Sequence, residues 1–195
     1  MATTRSKRTA RKATAKPKVP KVTETKVTQA RVAKPKAAKT AKATPASTKA
    51  KALHRQALRH NWDDGLFRLE RILADRACDL GTALLIYWLG APGFDRQYVT
   101  AKDLGTNGWR RPVFTFLRKL EKRLLKRDFA TASILFNPRF DRTTMTKDGH
   151  DWTAEYADIP NVRPIPEALK EPSCADPAWE KRGRAPIANT ANRLT

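Results

Sequence analysis

The sequence predicts a mainly α-helical fold: a compact bundle of about four to five helices, with a short strand or hairpin as a minor element, behind a long disordered basic tail. Residues 1–50 contain no aromatic residue, and apolar residues recur at helical spacing after them. The stretch CDLGTALLIYWLG, residues 78–90, is apolar on nearly every side. We therefore divide the chain into a tail at 1–50, a helical globular domain at 51–172 and a flexible C-terminal end at 173–195.

The tail is strongly cationic. Residues 1–52 contain 16 lysines and arginines against Glu24 alone, a net charge of +15, which leaves +6 of the chain's total of +21 for residues 53–195. A segment with so little apolar area cannot offset the loss of chain entropy by burial. Its like charges resist compaction, and four prolines interrupt any helix. We therefore expect this segment to be disordered.

Apolar spacing predicts the first two helices of the domain. A helix built on Leu53, Ala57 and Leu58 is expected to end near His60. Asp63 or Asp64 can cap a second helix, which runs to about residue 74. Its inner face is expected to consist of Leu66, Leu69, Ile72 and Leu73.

Residues 80–89 are predicted to form the central core helix, with Asp79 as its amino-terminal cap and Gly90 at its end. Ten residues span about 15 Å as a helix, about half of a bilayer core, so we expect no membrane span. Gly81 indicates that another backbone passes close, and one of the two preceding helices is the expected partner. Cys78 is expected to be a small buried apolar residue rather than a reactive thiol.

The clearest amphipathic pattern predicts a helix over residues 112–127, whose cations oppose only one acid, Glu121, on the outer side. We expect its exposed face to be strongly positive. Its inner stripe consists of Val113, Phe116, Leu117, Leu120 and Leu124. Beyond it the sequence predicts a short strand at 131–136, a turn-rich loop at 137–152, a helix of at most one or two turns within 158–172, and a mobile end from Pro177.

Three motifs carry a family resemblance: NWDDG at 61–65, CDLGTALLIYWL at 78–89 and IPEALKEP at 165–172. Over about His54 to Pro172 the chain resembles a small, mainly bacterial domain family of unknown function, the family numbered four-two-seven-four. The basic helix and its flanking loop look like local elaborations, and the tail lies outside the family pattern. The resemblance implies a compact unit and no particular activity.

The polar positions of these motifs form a candidate site. It comprises Asn61, Trp62, Asp63, Asp64, Asp79 and Thr82. Each has a structural explanation as a helix cap, a turn residue or a cover over a helix junction. The alternative is a pocket of carboxylates that holds a hard cation or serves as acid and base, as in a metal-dependent enzyme.

No catalytic, metal-ligating or cofactor-binding residue is assigned from the sequence. His54, His60 and His150 lack metal-ligand spacing, and neither a GxSxG elbow nor a glycine-rich phosphate loop occurs. His60 is expected to serve as a dipole or hydrogen-bond partner at a helix end. The enzyme hypothesis is therefore the weaker one.

Charge points to a non-enzymatic binding protein whose tail associates with nucleic acid, without sequence preference, and tethers the helical domain. The tail resembles linker-histone tails in composition, and because it lacks aromatics it offers no base stacking and no preference for single strands. The predicted contacts in the tail are Arg5, Lys7, Arg8, Arg11, Lys12, Lys16, Lys18 and Lys21. The predicted contacts on the basic helix, which starts next to Trp109, are Arg110, Arg111, Arg118, Lys119, Lys122 and Lys126.

Other interpretations remain open at this point. The tail could be a soluble spacer, bind acidic lipid or act as a transit peptide, although it has no aromatic or apolar anchor and would form an amphipathic helix poorly. The domain could be an immunity-type or other protein-recognition module with an incidental tail. Two distant cysteines and the lack of a secretory signal favour a bacterial cytoplasmic location, with nucleoid association through the tail.

Overall fold

The computed structural model describes residues 46–144 and 149–184, and this part of the chain is mainly helical. Its α-helices are α1 Thr48–Leu58, α2 Phe67–Ala74, α3 Leu80–Leu89, α4 Pro92–Asp95, α5 Arg111–Leu125 and α6 Pro177–Lys181. Its 3₁₀ turns are Trp62–Asp64, Gly105–Arg110, Trp152–Ala154 and Glu167–Leu169. Four of the α-helices contain eight residues or more, which confirms the predicted fold class.

Most of the predicted tail, residues 1–45, lies outside the described residues. Helix α1 begins at Thr48, inside the segment assigned to the tail. The hydroxyl of Ser47 accepts a hydrogen bond from the amide of Ala50 at 3.1 Å and so caps the helix. The folded part therefore starts a few residues earlier than the sequence analysis placed it.

Helix α3 lies at the centre of the core. Every residue from Leu80 to Trp88 is buried, and α1 and α5 both pack against it. Full burial of a large apolar side chain stabilises a fold by about 1.5–3 kcal/mol. The faces predicted for the neighbouring helices supply the surrounding side chains, which are Leu53 and Ala57, then Leu69, Ile72 and Leu73, then Phe116, Leu117, Leu120 and Leu124.

The apolarity of α3 reflects burial within the protein. Across the described ranges, no helix combines the length and the hydropathy that a membrane crossing requires. The polar groups of its two large aromatic residues also form hydrogen bonds within the domain. Tyr87 donates its hydroxyl hydrogen to Glu121 at 3.1 Å, and the indole of Trp88 donates to the carbonyl oxygen of Leu169 at 2.9 Å.

Gly81 is approached closely by another backbone, although the predicted partner was wrong. A Cβ atom at this position would lie 1.9 Å from the carbonyl oxygen of Ile134 and 3.0 Å from the hydroxyl of Ser173. The neighbour is therefore a segment that follows α5, and not a preceding helix. Sequence periodicity could not identify it because the segment is more than fifty residues away along the chain.

The strand predicted at 131–136 does not form, and the described residues contain only the isolated bridges Asp79–Thr131 and Asp141–His150. The segment has no partner strand, because its amide groups bond to side chains instead. The amides of Ser133 and Ile134 donate to Asp79, and the amide of Phe136 donates to the hydroxyl of Ser173. The β-branched residues of this segment thus indicated extended backbone, but they did not indicate pairing with another strand.

Residues 173–184 pack on the domain, which corrects the predicted boundary at residue 172. The carboxylate of Asp176 accepts from the amides of Ala178 at 3.2 Å and Trp179 at 3.1 Å and so caps α6. Trp179 is buried, with its ring 5.8 Å from that of Phe140. Burial of Trp179 and the hydrogen bond from Asn137 to Asp176 at 2.9 Å both fix this short segment, whereas residues 185–195 of the predicted flexible end lie outside the described residues.

Candidate nucleic-acid interface

Asp79 is fully buried at the amino end of α3. As a helix cap it accepts a hydrogen bond from the amide of Gly81 at 2.9 Å, which confirms the predicted cap. It also accepts from the hydroxyl of Thr131 at 2.6 Å and from the amides of Ser133 at 2.7 Å and Ile134 at 3.2 Å. With four donors on its two oxygens, this carboxylate joins the helix to the segment after α5.

Thr82 lies one turn further along α3 and connects it to α1. Its hydroxyl oxygen is 3.1 Å from Nδ1 of His54. Burial lowers the pKa of His54, and the negative charges of Asp79 and Asp141 partly oppose this change. The neutral imidazole therefore links two helices as a hydrogen-bond partner.

The NWDDG motif forms a separate turn. The side chain of Asn61 accepts from the amide of Asp63 at 3.2 Å and caps the 3₁₀ turn Trp62–Asp64. The prediction that Asp63 or Asp64 caps α2 is wrong, because α2 starts after Leu66, which makes no side-chain cap. Gly65, at φ 79°, turns the chain between the aspartates and the helix.

The two halves of the predicted polar site lie at opposite ends of α3. Trp62 packs against the carboxyl end, where a Cβ on Gly90 would be 3.0 Å from its ring, and it meets Phe116 edge-on at 6.4 Å. A ten-residue helix is about 15 Å long, so Asp79 at the amino end is far from this turn. Asp63 and Asp64 are exposed, whereas Asp79 and Thr82 are buried. The structure therefore does not bring the predicted carboxylates together.

The remaining candidates for a metal-binding or catalytic role are the histidines, the cysteines and the other acids. In residues 46–144 and 149–184, no three His, Cys, Asp or Glu side chains are close enough to hold a metal ion together. Cys78 is buried as predicted, and burial raises the pKa of its thiol to about 12. His60 differs from its prediction, because neither ring nitrogen has a hydrogen-bond partner among the described residues. Its ring packs edge-on to Trp62 at 5.9 Å.

The outer face of α5 carries exposed cations in a row. Arg111, Lys119, Lys122 and Lys126 are exposed, and their spacing of eight, three and four residues places them on one side of the helix. None of the four makes an ion pair with an acid among the described residues. We call these four residues the basic face.

Glu121, the single acid of α5, lies on the inner side of the helix instead of among the cations. It is 6% exposed, and it accepts hydrogen bonds from Tyr87, Arg118 and Arg163. Burial raises the pKa of the Glu121 carboxyl, and the nearby Arg118 charge acts in the opposite direction. The predicted contact Arg118 is thus partly engaged by this acid, and Glu121 forms its ion pairs with Arg118 and Arg163 rather than with the basic face.

Arg110 belongs to the interior of the fold, which corrects its assignment to the nucleic-acid contacts. Its side chain is only 11% exposed, and Nε donates to Asp95 at 2.6 Å. Its Nη2 donates to the carbonyl oxygens of Gly90 at 2.7 Å and Ala91 at 2.9 Å, and the guanidinium lies 5.0 Å from the ring of Phe94. These bonds hold the end of α3 against the start of α5 and keep the guanidinium largely buried.

Sequence analysis missed the polar side chains that organise residues 126–144 and 149–184. Asp141 accepts from the amide of Thr143 at 2.8 Å and from the indole of Trp152 at 2.9 Å. Arg96 donates to the carbonyl oxygens of Tyr156, Ala157 and Ile159. One signal was available, because an aspartate before a proline, as in Asp176-Pro177, is typical of a helix start.

Comparison with known proteins adds one match. No curated protein and no solved structure matches the chain significantly. The predicted tail contacts from Arg5 to Lys21 fall outside both the described residues and the matched segment, and the IPEALKEP motif at 165–172 also falls outside the match. Residues 48–125 match the family described as Domain of unknown function (DUF4274), so the family resemblance is confirmed for this part of the chain.

Proposed function

We propose that this chain is a non-enzymatic nucleic-acid-binding protein, in which the cationic tail and the basic face of α5 both contact phosphates and the tail tethers the helical domain. The observation that carries the proposal is the absence of any acid from the exposed side of α5, whose single carboxylate, Glu121, is turned inward. Four exposed cations without an acidic partner among the described residues form a surface that favours a polyanion.

The dimensions of the basic face suit a nucleic-acid backbone. From position 111 to position 126 a helix rises by about 22 Å. Along the axis of a duplex, each strand carries one phosphate about every 3.4 Å, so this length corresponds to roughly six phosphates of one strand. The basic face is therefore long enough to contact more than one phosphate.

Affinity in this arrangement comes from release of condensed counterions, which is independent of base sequence. The tail contributes most of the charge, with a net +15 over residues 1–52. The folded domain adds a surface whose cations are held in a fixed row by the helix. We expect binding to fall steeply as salt rises, because each neutralised phosphate releases a counterion.

The decisive experiment measures the salt dependence of duplex DNA binding by the full-length chain. The logarithm of the association constant falls as the logarithm of the salt concentration rises. The variant Lys119→Ala/Lys122→Ala/Lys126→Ala should make this negative slope shallower by about 2–3. A tail variant, Lys12→Gln/Lys16→Gln/Lys18→Gln/Lys21→Gln, should make it shallower by a similar or larger amount. The matched control, Arg76→Ala/Lys102→Ala/Lys181→Ala, removes three exposed cations from other elements and should change it less.

Weak binding that is insensitive to salt and equal in all four proteins would contradict the proposal. In that case the protein-recognition alternative would account better for the helical domain. A reduction in the tail variant alone would confine the nucleic-acid contact to the tail and remove the basic face from it.

A further inference from the structure

An open groove of about 600 Å³ lies beside the basic face, between α2 and the start of α5. Its lining includes Glu70 of α2 and Leu66 just before that helix, Trp109, and Arg111, Phe116 and Lys119 of α5. Two members of the basic face are therefore part of this groove. Its lining combines cations with apolar and aromatic surface, which a site for phosphates alone does not need.

Trp109 is the most exposed tryptophan of the described residues. It is 73% exposed, whereas Trp88, Trp152 and Trp179 are buried and Trp62 is half-buried. Its backbone is nevertheless well fixed, because the next residue, Arg110, is bonded into the interior. An indole this exposed on a fixed backbone is suited to stacking against another flat ring.

Charge limits what can occupy the groove. Arg111 and Lys119 outnumber the single acid Glu70 in the lining, and the rest of the basic face continues from there. The lysine-rich tail of the same chain carries the same sign and would be repelled. An occupant therefore has to be anionic, and to use Trp109 it has to present a flat aromatic face.

We infer that this groove binds single-stranded nucleic acid, with an unpaired base stacked on Trp109 and the flanking phosphates on Arg111 and Lys119. Bases in a duplex are already stacked and paired, so reaching the indole would require unpairing them. A single strand offers its bases without that cost, and stacking on an aromatic side chain tolerates any base. The inference rests on the proposed function and adds a preference for unpaired strands that the tail, which has no aromatic residue, cannot supply.

The test compares binding of a short oligothymidine and of a duplex of equal length to the full-length chain. Trp109→Ala should weaken oligothymidine binding by about tenfold and change duplex binding by no more than about twofold. Trp109→Phe should keep most of the affinity because it keeps a ring face. Trp109→Leu should lose as much as alanine, since it keeps apolar area without a ring.

Phe67→Ala provides the matched control. Phe67 is 71% exposed, as an aromatic residue comparable to Trp109, but it lines a different groove with Arg68 and Arg71. Its removal should leave both affinities unchanged. Oligothymidine should also quench the tryptophan fluorescence of the parent chain and should quench that of Trp109→Ala much less.

Each remaining outcome is informative. Equal affinities for strand and duplex, unchanged in Trp109→Ala, would overturn the inference while leaving the proposed function intact. Polyglutamate that binds as tightly as oligothymidine, with the same loss in Trp109→Ala, would also overturn it and assign the groove to an acidic polypeptide. No binding of either nucleic acid would refute both proposals.

Discussion

Helices α1, α2, α3 and α5 pack together through apolar side chains, whereas residues 126–144 and 149–184 depend also on hydrogen bonds from buried polar side chains. In the first region the contacts are many and individually small, so no single atom is decisive. The second region instead depends on a few polar groups that each bond several partners: Asp141 and Ser173 within it, and Asp79 at its contact with α3. Stability in that region is therefore concentrated in single side chains.

This contrast follows from the chemistry of the two kinds of contact. Loss of apolar area costs free energy in proportion to the area removed. Loss of a buried acceptor instead leaves each of its donors desolvated and unpaired, and each unpaired group costs about 1–3 kcal/mol. Matched substitutions in the two settings should separate these costs.

The largest effect is expected at Asp79. Asp79→Ala removes an acceptor with four donors, so we expect the free energy of unfolding to fall by about 4 kcal/mol. Asp63→Ala changes an exposed aspartate of the other motif and should stay within about 0.5 kcal/mol. Urea denaturation of both variants measures the difference, and equal losses would show that burial does not distinguish these two acids.

Gly81 tests whether the two regions touch as closely as the structure indicates. In Gly81→Ala the added Cβ would meet the carbonyl oxygen of Ile134 at 1.9 Å, so one backbone must move, and we expect a loss of about 3 kcal/mol. Gly108→Ala is the control, because nothing lies within 4 Å of its Cβ position. A Gly81→Ala protein as stable as its parent in thermal melts would mean that the segment after α5 does not lie against α3.

Arg110 and Arg111 are neighbours in sequence, but we expect the first to affect stability and the second to affect nucleic-acid binding. Arg110→Ala leaves Asp95 buried without its partner and should cost about 2 kcal/mol. The loss is smaller than for a fully buried pair, because burial already raises the pKa of Asp95 and eases uptake of a proton. Arg111→Ala should leave stability unchanged and weaken nucleic-acid binding. Denaturation and nucleic-acid binding are measured on both variants. Lost stability in Arg111→Ala and lost binding in Arg110→Ala would show that Arg111 is the interior residue and Arg110 the surface contact.

The smallest effect concerns His54 and pH. Because burial lowers its pKa below the ordinary value of 6.5, the unfolded chain binds the proton first as pH falls. The stability contributed by neutral His54 is therefore present above pH 6.5 and is lost as pH falls below it. Buried Asp95 and Glu121 have raised pKa values and give the opposite slope at lower pH, so a comparison between variants is needed.

His54→Gln isolates this contribution, because glutamine keeps a hydrogen-bonding group near Thr82. Melting temperatures of the parent and the variant, measured on either side of the histidine pKa, should converge as the solution becomes more acidic. A constant difference between the two proteins would show that His54 does not titrate during unfolding in this range.

The sequence was sufficient wherever structure depends on near neighbours. The limits of α3, its cap at Asp79 and the inner faces of the longer helices follow from spacing within a few residues. The inward turn of Glu121 and the interior position of Arg110 could not be predicted, because their partners Arg163 and Gly90 are distant in sequence. The same limit explains why Asp63 and Asp79 appeared to be one site.

The bonds that Asp79 makes also impose an order of events during synthesis. Helix α3 leaves the ribosome well before Thr131, and its amino end stays incomplete until that residue, 52 positions later, returns to it. Closing so long a loop is slow compared with forming the helix itself. A nascent chain that has emerged only to residue 125 still lacks Thr131, Ser133 and Ile134, which supply three of the four hydrogen bonds to the Asp79 carboxylate.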